Sequence, residues 1–152
     1  MRYDLRPNFD FLDHIEEVWF DRTVPHPIPD PNKLQGQCVQ FIRWILIHWM
    51  GLPDWKPVAE AKASNFWSQY ETDPAMNEYW EKIPNTPDFL PRKGDICIWN
   101  TKKGGGYGHI AFVYNGNTLR YFHGLESNWK PLKVSVVQHN YNDVIGFFRF
   151  KE

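Results

Sequence analysis

The order of periodicities in these 152 residues predicts an α+β fold, with N-terminal helices packed against an antiparallel β-sheet meander. Apolar residues recur at helical spacing through the first half of the chain. Short period-two runs, separated by Gly, Asn and Asp turns, fill the second half. The two kinds of segment do not alternate, which argues against a parallel βαβ sheet.

Residues 8–20 place Phe11, Ile15, Val18 and Trp19 on one face, with acidic residues in the early turns, and predict an amphipathic helix. Residues 23–31 (TVPHPIPDP) are proline-rich and predict an extended loop. Residues 37–50 predict a second helix, ended by Gly51 with Pro53 beyond. Gln37, Gln40 and Arg43 form its one polar stripe, so the rest of its surface is expected to be buried. Residues 59–70 and 74–82 are two further helical candidates, and 84–91 is a connector. Strands are expected at 95–99, 109–114, 118–123, 134–138 and 144–150. Asn115-Gly116-Asn117 is a hairpin signal.

The length suits one domain, and no repeat, low-complexity tract or linker divides it. We read residues 1–152 as a single domain in which 1–34 supply a helix and a proline-rich lead-in. A formal net charge of −1 argues against a binder that works mainly by neutralising phosphates, so no nucleic-acid partner is expected. The N-terminus lacks an apolar run of signal-peptide length, and the longest apolar stretch, 39–51, is interrupted by Gln40, Arg43 and His48. Synthesis in a cytoplasm, no membrane insertion and a monomer are the expectations. Two cysteines, Cys38 and Cys97, are too few for a disulfide framework.

Cys38 opens the apolar helix. There the unpaired N–H groups of a first turn favour a thiolate and offer donors for an oxyanion. Alone it reads as a small buried hydrophobe, as most free cysteines do. His109 opens a strand after the glycine-rich run 102–108, and Ala111 on its face leaves room for the imidazole. The glycine run precedes a strand, so it is a loop or groove wall and not a phosphate cradle. Glu126 and Asn128 project to one side of an extended segment, where one can fix the imidazole tautomer and the other support it. Cys, His and Glu/Asn in this order, on helix, strand and strand, are the parts of a cysteine hydrolase.

Gly36-Gln37-Cys38, Pro91-Arg92-Lys93-Gly94-Asp95-Ile96, Gly108-His109-Ile110, Glu126-Ser127-Asn128-Trp129 and the closing run 144–149 together resemble the CHAP family. These are cysteine- and histidine-dependent amidohydrolases and peptidases of the papain-like group, which also holds the NlpC-type hydrolases. The resemblance runs from about residue 35 to the end. It implies Cys38 as nucleophile, His109 as base, Glu126 as orienting acid, Asn128 as a fourth polar member and Gln37 as an aid to the oxyanion hole. It also implies a peptidoglycan substrate, cut at the N-acetylmuramoyl–L-alanine amide or within the stem peptide or cross-bridge, as by phage endolysins. Trp129, Tyr107 and Trp99 are candidates to stack on glycan or peptide, with core packing the alternative for Trp99.

Two departures from the family pattern stand out. Many phage members bind calcium through acidic residues before the nucleophile and two positions after it. Here those places hold Asp30, Asn32 and Gln40 beside Lys33, a poor oxygen set, so no cofactor is expected. Many endolysins add a cell-wall-binding domain, and none is read here. A compact lysin acting at the wall after release or export, a secreted antibacterial effector and an excised domain all remain open. The rivals are another papain-like peptidase or deamidase, and a non-catalytic wall-binding module.

Overall fold

The computed structural model describes residues 9–24, 37–55 and 62–151. Helix α1 (Phe11–Trp19) buries Leu12 and Ile15. Helix α2 (Cys38–Trp44) continues without a break as a π-helical turn, Ile45–Trp49, in which Met50 N–H reaches back to the Ile45 carbonyl at 3.0 Å. Gly51 then takes φ +66° and ends the segment, at the stop its sequence predicts. The polar stripe of this helix finds its partner beyond that stop: Arg43 donates to both carboxylate oxygens of Asp54, at 2.8 and 2.6 Å.

Among the described residues six strands follow: β1 (Trp80–Pro84), β2 (Ile96–Trp99), β3 (His109–Val113), β4 (Phe122–Lys130), β5 (Lys133–His139) and β6 (Val144–Phe150). All pairings are antiparallel, in the order β1-β6-β2-β3-β4-β5. Strands β2 to β5 form the expected meander. The last strand does not extend it but returns to lie between β1 and β2.

Three sequence expectations need correction. Residues 74–82 are helical only at α4 (Pro74–Asn77), where the Asp73 side chain caps Ala75 N–H at 3.0 Å. From Trp80 the chain becomes β1, because pairing with β6 and burial of the Trp80 ring outweigh local propensity. Of residues 59–70, the described part is helical only at α3 (Asn65–Ser68), followed by a 3₁₀ turn at Tyr70–Thr72. The strand expected at 118–123 begins at Phe122. Arg120 and Tyr121 N–H instead close a turn on the Thr118 hydroxyl. The proline-rich loop falls almost entirely outside the described residues.

The sheet has two buried faces. Ile96, Ile98, Ile110, Phe112, Leu125, Phe148 and Phe150 face the helices and meet Leu12, Ile15, Phe41, Ile42 and Ile45. Cys97, Trp99, Ala111, Val113, Phe122 and Phe147 form a second cluster on the other face. Helix α2 packs on β3 and β4, which brings the start of the helix to the start of β3. Asp95 anchors the approach to β2. It is 2% exposed, accepts from Arg92 N–H, and takes Arg149 of β6 at 2.9 and 2.7 Å. Among the described residues no helix is long and apolar enough to cross a membrane.

Candidate active site

Cys38 is the first residue of α2, half-buried, and its thiol is free. It lines a cavity of about 420 Å³ with Gln37, Val39, Gln40, Ala63, Gly104, Tyr107, Gly108, His109 and Asn128. His109 enters from β3 and is 3% exposed. Gly108 makes that entry possible. It holds φ +77°, and a Cβ there would lie 2.7 Å from the Trp99 carbonyl oxygen. The glycine-rich run before it is a wall of the cavity, through Gly104, Tyr107 and Gly108.

His109 connects two groups. Its Nε2 lies 2.8 Å from Glu126 Oε1, which leaves Nδ1 for Cys38, to which the ring is also hydrogen-bonded. Burial alone would lower the imidazole pKa. The hydrogen bonds to Cys38 and Glu126 and the charges of both outweigh it and raise it to about 9. The ring is therefore set to be a cation beside the thiol at neutral pH.

Glu126 is fully buried on the face of the sheet that carries His109, Trp99 and Phe122. Burial pushes its pKa up, but hydrogen bonds from His109 and from a second histidine, His139, bring it below the ordinary glutamate value. His139 lies on β5, with Nε2 2.7 Å from Glu126 Oε2. The carboxylate reaches it by folding back over Gly124, where an added Cβ would sit 2.0 Å from Oε2. The sequence reading missed His139. Its signal, a histidine at the end of a β-rich run, does not differ from that of a surface residue.

Asn128 does not share Glu126's environment. It takes φ +68° where the β4–β5 register shifts, so strict alternation fails there. Its Nδ2 donates to Gln37 Oε1 at 2.9 Å, and its Oδ1 accepts from Leu132 N–H at 2.8 Å. Asn128 thus ties the β4–β5 turn to the residue preceding the nucleophile candidate. Gln37 lines the same cavity as Cys38 and His109.

The three candidate stacking residues separate. Trp99 is 1% exposed, so its ring is core and cannot stack on a substrate. Trp129 is 42% exposed and packs edge-on against His109 and His139, with centroids 5.3 and 4.6 Å away. Tyr107 is 54% exposed on the cavity wall. Among the described residues no three His, Cys, Asp or Glu side chains converge as a metal would require. Gln40 is buried, and its Oε1 has no hydrogen-bond partner among the described residues. Asp30 and Asn32 lie outside the described residues.

A thiol at a helix start, facing a strand-borne imidazole backed by a buried carboxylate on an α+β scaffold, defines the papain-like class of cysteine hydrolases. Within that class the CHAP domain family model matches residues 29–128, and the chain belongs to that family. It is 30% identical over 148 residues to the probable autolysin PH of Staphylococcus aureus, covering 88% of this chain and 29% of that protein. It is 35% identical over 74 residues to endolysin PlyTW of Staphylococcus phage Twort, covering 43% of this chain and 16% of that protein. It therefore spans under a third of either relative. The crystal structure of the endolysin LysIME-EF1 has the same fold, with a TM-score of 0.67 at 20% identity, over 92% of this chain and 62% of that one.

Proposed function

We propose that this domain hydrolyses an amide bond of bacterial peptidoglycan through an acyl-enzyme on Cys38, either the N-acetylmuramoyl–L-alanine amide or a stem-peptide or cross-bridge bond. The observation that carries the proposal is His109, hydrogen-bonded to both Cys38 and Glu126 at the wall of an open cavity. Relatives named autolysin and endolysin support the wall as substrate.

In this mechanism the Cys38 thiolate attacks the carbonyl carbon, and the imidazolium of His109 gives its proton to the departing amine. A thioester and a free amine result. Water, deprotonated by His109, then attacks the thioester, releasing the new carboxyl group and restoring the thiol. Glu126 holds the imidazole tautomer and offsets its charge throughout. Backbone N–H groups of the α2 first turn and the Gln37 side chain, held by Asn128, stabilise the oxyanion. No metal enters the scheme, because Asp30, Asn32 and Gln40 offer one carboxylate where calcium takes several.

The test is turbidity loss of purified cell walls with wild type and Cys38→Ala, followed by mass spectrometry of the fragments. Clearing by wild type and none by the variant is expected, and the new termini name the bond. Lysis by the variant within about tenfold of wild type would remove Cys38 from the mechanism.

A further inference from the structure

We propose that His139 is a positioning residue of this centre, donating its Nε2–H to Glu126 so that the other carboxylate oxygen stays on His109. The inference rests on the hydrolase reading above for its link to rate, and on geometry alone for its link to Glu126. A carboxylate only accepts hydrogen bonds, so both contacts of Glu126, 2.8 Å from His109 Nε2 and 2.7 Å from His139 Nε2, have the imidazoles as donors. With one donor on each oxygen, the carboxylate is fixed in position and in torsion. With His139 absent, Oε2 would be a buried anionic oxygen without that donor, which favours protonation or a swing of the side chain away from His109.

Three features hold His139 in this role. Its ring is 6% exposed and lies against Trp99, Trp129 and Phe122, with centroids at 4.7, 4.6 and 5.4 Å. Register pairs His139 with Phe122, four residues before Glu126, so only a carboxylate folded back over Gly124 spans the gap. Trp129, itself half-exposed, packs edge-on against both imidazoles. Among the described residues, two further ionisable groups of this face, Cys97 and Tyr141, are held toward their neutral forms. The Cys97 thiol of β2 is pushed up by burial and then by the charges of Glu126 and Asp95. Tyr141, beside Phe122, is raised to about 12 by burial and then by Cys97. Cys38 of α2 acts on His109 by a hydrogen bond and by its charge.

Two variants separate positioning from packing. His139→Phe fills the aromatic cage but lacks the donor. His139→Gln carries a donor at a similar reach. Both are compared with wild type in thermal melts, in kcat and KM on one defined peptidoglycan fragment, and in the His109 titration followed by NMR without substrate. The expected result for His139→Phe is a kcat loss of about 10- to 100-fold, by analogy with the loss of a partner that orients a metal-ligating side chain, with KM little changed. Its His109 pKa should fall by about one unit or more as Glu126 ceases to hold the imidazolium. His139→Gln should restore most of both. An unmoved His109 titration in folded His139→Phe, or a glutamine variant as impaired as the phenylalanine one, would overturn the proposal. If wild type releases no peptidoglycan fragments, the hydrolase reading fails instead, and the substrate-free titration alone decides the role of His139.

Discussion

The two cysteines show how position decides reactivity. Cys38 lies at a helix start, half-exposed on a cavity and bonded to an imidazole. Cys97 is fully buried mid-strand, with its thiol pushed well above the ordinary value. Iodoacetamide at neutral pH should therefore modify Cys38 and leave Cys97 untouched until the protein unfolds, as peptide mapping would show. Equal labelling, or a bridge between them, would contradict the site. Glu126 and Asn128 also part company at this scale. Glu126→Ala removes the partner that fixes and charges His109, and should cost kcat/KM roughly two to four orders of magnitude by analogy with other orienting acids. Asn128→Ala breaks a bond to Gln37 and should cost less. A greater loss for Asn128 would exchange the two roles. The raised His109 pKa sets the pH dependence. The stability that the protonated ring contributes is fully present below its unfolded value of 6.5 and is lost as pH rises through about 9, where the folded imidazolium itself deprotonates and activity should also decline. In Glu126→Gln the alkaline limb of kcat/KM should move to lower pH. A limb that stays in place would show that Glu126 does not hold the proton.

At the scale of elements, the approach to β2 is a structural clamp and not part of the chemistry. Asp95 bonds Arg92 N–H and both Nε and an Nη of Arg149, so it fastens β6 in the position between β1 and β2 that a simple meander would leave empty. Asp95→Ala should destabilise the fold by about 2 kcal/mol, less than for a fully buried pair because Arg149 is partly exposed. The shift in urea midpoint measures this, and kcat of the folded fraction should not change. A variant as stable as wild type would mean that β6 is held by its backbone ladder and apolar contacts alone. The helix that carries Cys38 was legible because its apolar run, polar stripe and Gly51 stop agree. Strand β1 was not, because Trp80-Glu81-Lys82-Ile83 has no local feature that prefers a strand until β6 supplies the partner.

For the whole molecule, a chelator tests whether the chemistry proceeds without a metal. EGTA should leave wall clearing unchanged, because the oxygen set around Asp30, Asn32 and Gln40 is carboxylate-poor. Loss of activity restored by calcium alone would reverse that expectation. The sequence by itself determined the fold class, the family, and the placement of Cys38, His109 and Glu126 on helix and strands, since each depends on periodicity and short motifs that operate within a few residues. Only the tertiary structure decided that Trp99 is core, that Asn128 serves Gln37 at a left-handed turn, that the last strand inserts into the sheet, and that His139 shares Glu126 with His109. These are matters of register and strand order. They bring together residues 13 to 91 positions apart by cross-strand pairing and close packing, which no local pattern encodes.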